Sequence, residues 1–170
     1  IWGIEKIVNK NIAVIGLGYV GLPLAIEFGK RYNTVGFDIN ENRIKELNNK
    51  FDCTGETNAE DLDASTNLIL TDSSSKIDDC NIYIITVPTP IDEGNNPNLA
   101  PLASASKMVG GMLDVGDIVA TVSTTDVDCE ITLNAASNLL IESLIVMVLS
   151  VIALKIFVRL MIESAIDTDC

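Results

Sequence analysis

The chain has 170 residues, 24 acidic against 11 basic, no histidine, and a formal net charge of -13. That length suits one domain with a core of its own, and the missing histidine excludes Ser-His and Cys-His nucleophile pairs, imidazole acid-base catalysis and histidine metal sites. Residues 51–154 hold sixteen acidic side chains against Lys76 and Lys107 alone, a field that repels phosphate backbones and argues against nucleic acid as a partner.

In chain order, Asn11 to Ile15 (NIAVI) is a short β-branched apolar run that stops at a glycine, the pattern of a buried parallel strand. A glycine-rich turn, Gly16 to Gly21, separates it from Val20 to Tyr32, where Leu24, Ala25 and Phe28 recur at helical spacing and Pro23 fits a first turn. Thr34 to Asp38 is a second strand. Asn40 then caps a helix over Glu41 to Asn49, marked by Ile44 and Leu47. Asn67 to Leu70 and Asn81 to Val87 (NIYIITV) are further strands, the latter ended by Pro88-Thr89-Pro90. Leu102 to Leu113 is expected to be helical and Asp117 to Val122 extended. Strands alternating with helices at these intervals predict an α/β fold, a parallel sheet covered by helices on its faces.

Gly16-Leu17-Gly18-Tyr19-Val20-Gly21 is a G-x-G-x-x-G placed between a strand and a helix, and Asp38 closes the next strand 22 positions after Gly16. This combination is the fingerprint of a Rossmann-type, doubly wound dinucleotide site. Gly16 permits the tight turn, Gly18 lets the backbone approach a pyrophosphate, and Gly21 allows close helix-strand packing. The helix start supplies free N–H groups and a positive dipole end. A carboxylate at Asp38 suits the ribose hydroxyls of NAD and would repel the 2′-phosphate of NADP. The alternative is a glycine turn that binds nothing.

Gly16 to Leu24 (GLGYVGLPL), Gly36-Phe37-Asp38 with Arg43-Ile44, and Ile84 to Pro90 (IITVPTP) together resemble the amino-terminal half of the nucleotide-sugar 6-dehydrogenases. These act on UDP-glucose, UDP-N-acetylhexosamines or GDP-mannose, and the resemblance is strongest to the UDP-N-acetylhexosamine branch, which makes uronic acids for bacterial surface polysaccharides. It implies NAD as cofactor, contacted at Gly16, Leu17, Gly18, Tyr19, Val20, Gly21, Asp38, Arg43, Val87, Pro88, Thr89 and Thr124, with Thr124 also the one catalytic candidate. Arg43 as a solvated helix cation and Thr89 as a plain turn residue stay open beside those roles. The family oxidises a sugar C6 alcohol twice, through a cysteine-bound thiohemiacetal and thioester.

The resemblance runs from about Asn11 to Thr124. Beyond it, Val122-Ser123-Thr124-Thr125-Asp126 stands where the family has Glu-Ser-Thr-Val-x-Pro-Gly, and the motifs carrying the catalytic lysine, asparagine and cysteine have no counterpart. A UDP-sugar would therefore be met through a further domain that family members, more than twice as long, possess. Residues 1–124 are expected to form the NAD-binding domain and 125–170 a divergent tail. Cys53 after a helix, Cys80 before a buried strand, Cys129 in an acidic loop and terminal Cys170 contain no Cys-x-x-Cys pair, so neither a metal site nor a disulfide scaffold is expected. With no signal peptide visible, a reducing, cytoplasmic setting follows. Leu139 to Ile162 is apolar nearly all round, but Glu142, Lys155 and Arg159 leave its longest uncharged run, Ser143 to Leu154, too short to cross a bilayer. A carboxy-terminal apolar helix packed on the domain or on a partner subunit is expected, giving a homo-oligomer, ahead of a strand-rich segment or a membrane span.

Overall fold

A computed structural model describes residues 10–91, 97–125 and 128–134, with side chains described as far as residue 122. Six strands, β1 (Asn11–Ile15), β2 (Asn33–Phe37), β3 (Leu68–Thr71), β4 (Ile82–Ile85), β5 (Ile118–Thr125) and β6 (Asp128–Asn134), form one sheet in the order β3-β2-β1-β4-β5-β6. The first five are parallel and β6 pairs antiparallel with β5. The helices are α1 (Gly21–Gly29), α2 (Glu41–Asn48), α3 (Ala59–Ala64) and α4 (Ala100–Gly110), with a short 3-10 turn at Ser74–Lys76.

β1 lies at the centre because its residues tolerate burial on both faces: Ile12, Ala13, Val14 and Ile15 are all 2% exposed or less. Burying each of the larger three contributes about 2 kcal/mol. Ala13 and Ile15 point to one side, where Phe37, Tyr83 and Ile85 of the neighbouring strands meet Ala105 and Val109 of α4. The alternate residues turn to the other side, where α1 lies across β1 and β2. Two covered faces with the order 3-2-1-4-5 make a Rossmann-type doubly wound sheet.

The expected elements are present, with ends that move by a few residues. α1 stops at Gly29, short of Tyr32, and α4 starts at Ala100 with Pro101 in its first turn, where a missing N–H costs nothing. α3 was not expected, although Asn58 accepts a hydrogen bond from Asp61 N–H as its cap. Cys129 is not in a loop but in β6, opposite Thr124 of β5. Residues 128–134 (DCEITLN) alternate polar and apolar with the period of a strand, which their acidic composition obscured. The expected apolar helix at 139–162 and Cys170 lie outside the described residues. Among those that are described, no helix is long and apolar enough to cross a membrane.

Candidate dinucleotide site

The strand order reverses between β1 and β4, and the chain leaving each of them at its carboxyl end turns to a different face of the sheet. A crevice opens there, lined by Gly18, Tyr19 and Val20 after β1, by Thr86, Val87 and Pro88 after β4, and by Val122 of β5. This is the place where open α/β sheets bind ligands.

Gly16 adopts φ +94°, a conformation that L side chains rarely take, and its N–H donates to Phe37 O at 2.8 Å, so the chain turns sharply off the sheet. A Cβ at Gly21 would lie 1.8 Å from Gly16 O and 2.4 Å from Thr86 Oγ1, whereas one at Gly18 would meet nothing within 4 Å. The outer two glycines are thus required by the protein's own packing, and Gly18 leaves open space beside an exposed backbone. The buried Thr86 hydroxyl lies 2.7 Å from Gly16 O and 3.0 Å from Ile15 O, its one proton shared between them. It ties the end of β4 to the glycine turn. Helix α1 has Val20 at its N-cap position, with no side-chain cap and no acid in its first turn, while α2 and α3 both carry asparagine caps and acidic first turns. The positive end of the α1 dipole therefore faces the crevice with no acidic side chain in its own first turn.

Asp38 sits just past β2, with Oδ2 accepting Leu17 N–H at 2.8 Å and Oδ1 accepting Asn40 N–H at 2.9 Å. A carboxylate offers about four acceptor positions, so these two contacts orient it and leave capacity for further donors. Leu17 is fully buried and its peptide is engaged on both sides, since Arg43 Nε donates to Leu17 O at 3.0 Å. Arg43, only 7% exposed, is not a solvated helix cation. Its guanidinium also meets Glu46 Oε2 at 3.5 Å, Cys53 Sγ at 3.4 Å and Asp52 Oδ1 at 2.7 Å, the last an ion-pair contact rather than an aligned hydrogen bond. Burial opposes the Asp52 charge, but hydrogen bonds from Thr54 and Thr57 and the Arg43 guanidinium beside it outweigh that effect and lower its pKa to about 2.

Of the residues expected to contact the cofactor, the structure lines one crevice with Gly18, Tyr19, Val20, Val87 and Pro88, while Gly16, Leu17 and Gly21 are buried in the turn behind it and Asp38 is bonded to Leu17. Thr89 is half-buried immediately after Pro88, and Thr124 lies in β5 two residues beyond Val122. Arg43 stands behind the turn rather than in the crevice lining. Thr86 and Asp52 were not singled out from the sequence. Thr86 stood inside the IITVPTP run; Asp52 gave no signal beyond an Asp-x-Thr-x-x-Thr spacing suited to side-chain capping of a loop. Cys80 is buried and its thiol is pushed up to about 11 by desolvation. The exposed Cys53 is also raised, first by its hydrogen bond to Glu46, so neither is an activated nucleophile. Among the described residues no cluster of three acidic or cysteine side chains could hold a metal ion.

Residues 10–143 match the family model described as UDP-glucose/GDP-mannose dehydrogenase family, NAD binding domain. The match therefore extends past Thr124, where the motif resemblance stopped. The chain is 48% identical over 136 residues to UDP-N-acetyl-D-glucosamine 6-dehydrogenase of Pseudomonas aeruginosa, covering 77% of this chain and 32% of that protein. It is 51% identical over 128 residues to the protein of that name from Salmonella typhi, covering 75% and 29%. The solved structure of UDP-D-ManNAc dehydrogenase from Pyrococcus horikoshii superimposes with TM-score 0.59 at 34% identity, over 67% of this chain and 28% of that one. The chain thus spans about a third of the length of these relatives. A glycine turn that only the second glycine leaves open, an aspartate bonded to it, and a match over most of the chain lead to one assignment: the chain belongs to the UDP-glucose/GDP-mannose dehydrogenase family and matches its NAD binding domain.

Proposed function

We propose that this chain is the cofactor-binding part of an NAD-dependent UDP-sugar 6-dehydrogenase that oxidises the C6 hydroxyl of a UDP-N-acetylhexosamine to the uronic acid. The observation that carries the cofactor half is the pairing of open space at Gly18 with the oriented carboxylate of Asp38. In this arrangement the pyrophosphate lies over Gly18, Tyr19 and Val20 at the uncapped start of α1, and Asp38 accepts from the adenosine ribose hydroxyls. Val87, Pro88 and Thr89 form the opposite wall, with Thr124 at the end of β5 positioning a water. When bound, NAD supplies a hydride acceptor. The chain's own part is to bind, orient and exclude water. Leu17 and Arg43 serve the site from behind, since their polar groups are committed to Asp38, Asp52 and each other.

The hexosamine is supported by the two bacterial relatives at 48% and 51% identity, both named UDP-N-acetyl-D-glucosamine 6-dehydrogenase. Cofactor binding is assigned to residues 1–124, and β6 at 128–134 extends the same sheet. The low thiol count and absence of paired cysteines support a cytoplasmic setting.

Calorimetric titration of the chain with NAD and NADP tests the cofactor assignment. NAD should bind more tightly, and Asp38→Ala should weaken it by about 1–3 kcal/mol, the value of one charge-assisted hydrogen-bond partner. Equal affinity for both cofactors in the unmutated chain would remove Asp38 from its assigned role.

A further inference from the structure

We propose that Asp52, which lies outside the crevice, is a positioning residue that sets cofactor preference by acting through Arg43 and Leu17 on Asp38. This rests on the cofactor reading above. The connection is a continuous series of contacts between four segments of the chain. Asp52 Oδ1 meets Arg43 Nη2 at 2.7 Å, Arg43 Nε donates to Leu17 O at 3.0 Å, and Leu17 N–H donates to Asp38 Oδ2 at 2.8 Å.

The Asp52 side chain is 1% exposed and carries more partners than a loop anchor needs. Thr54 donates to Oδ1 from both N–H and hydroxyl, and Oδ2 accepts from Glu56 N–H and from both groups of Thr57. A carboxylate held by that many donors is fixed before any ligand arrives. Desolvation of both ions offsets much of the attraction within a buried pair, so stability alone does not explain it, and the donors that fix Asp52 also give it a geometric use. The arginine fork is planar and rigid; with one end fixed on Asp52, Nε is aimed at the Leu17 carbonyl. The 17–18 peptide is trans, so Gly18 N–H points away from Arg43, and a cation bonded to the carbonyl polarises that N–H as a donor. Gly18 lines the crevice. One buried pair therefore tunes both the donor beside the pyrophosphate and the carboxylate that discriminates the 2′ position.

The test uses the full chain and Asp52→Asn, which keeps the shape but removes the charge facing Arg43. NAD affinity should fall about tenfold, the equivalent of one charge-assisted hydrogen bond, and the ratio of NADP to NAD dissociation constants should narrow. Without cofactor, amide exchange at Leu17 should accelerate while Ile84 and Ile85 in β4 stay protected. A role confined to the 52–57 loop would lower the melting temperature and leave both the ratio and the Leu17 exchange unmoved, which overturns the proposal. If Asp52→Asn does not fold, Thr54→Val removes only the hydroxyl on the oxygen that Arg43 meets. It should then give the same changes at smaller size; no change overturns the proposal. A chain that bound neither cofactor would overturn the cofactor reading and this proposal together, whereas an unaltered NAD preference in folded Asp52→Asn overturns this proposal alone.

Discussion

Gly18 and Gly21 belong to one motif yet answer to different constraints. Adding a methyl group at each separates them. At Gly21 the new Cβ would lie 1.8 Å from Gly16 O and 2.4 Å from the Thr86 hydroxyl, and the first of these is backbone, so the turn itself must move. Gly21→Ala is expected to cost about 2–3 kcal/mol in urea unfolding, the scale of overpacking in a close-fitted core, and to disrupt cofactor binding with it. At Gly18 nothing lies within 4 Å, and φ there is not positive. Gly18→Ala should change stability by no more than about 0.5 kcal/mol while weakening NAD, because the methyl group occupies the space through which the pyrophosphate approaches. If Gly18→Ala destabilised the fold as much as Gly21→Ala, the division between packing glycine and ligand glycine would be wrong. Thr86 extends the same logic, since its shared proton joins Ile15 O and Gly16 O at the point where β1 ends.

At the scale of elements, α2 and the loop after it behave as one unit. Asn40 Oδ1 accepts from Asn42 and Arg43 N–H at the start of the helix, and Asp52, in the loop after it, reaches back to the Arg43 side chain of that same first turn. The pKa of Asp52 is lowered from 3.8 to about 2 in the fold. A depressed carboxyl pKa contributes stability that is present above the unfolded value and lost as pH falls through the folded one. The contribution is about 2 kcal/mol, in full above roughly pH 4 and draining away between there and pH 2. Urea unfolding of the unmutated chain and Asp52→Asn should differ by that amount at pH 7 and converge toward pH 2; a gap independent of pH would assign the effect to packing. Much of this region was legible in the sequence. Asn40 as a cap and Ile44 and Leu47 as the buried face follow from local spacing, as do β1, the glycine turn and α1, because strand, turn and helix there are each dictated by adjacent residues. Arg43 was harder, since its partner Asp52 lies nine positions on and Leu17 twenty-six back, distances that only the folded chain closes. β6 was hidden for a different reason. Its alternation is regular, but its acidic start looks like a loop until β5 supplies an antiparallel neighbour.

For the molecule as a whole, the described crevice explains binding more fully than it explains chemistry. Gly18, Tyr19, Val20, Thr86, Val87, Pro88 and Val122 line it, without a carboxylate among them, and the chain has no histidine. Double oxidation of a C6 alcohol requires a nucleophile beside the nicotinamide and a group to take the proton, each placed to within about 1 Å. Val122 stands where the family motif has glutamate, and the buried Cys80 is held protonated by a pKa near 11. Relatives of 48% and 51% identity are about three times as long, so the second wall of the cleft belongs, on the proposal made above, to sequence these 170 residues do not contain. The 170 residues alone should therefore bind NAD but produce no NADH when UDP-N-acetylglucosamine, UDP-N-acetylgalactosamine or UDP-glucose is added, followed by absorbance at about 340 nm where reduced nicotinamide absorbs. Steady growth of that absorbance, abolished by replacing any one of Cys53, Cys80, Cys129 or Cys170, would show that a complete catalytic site is already present in this chain.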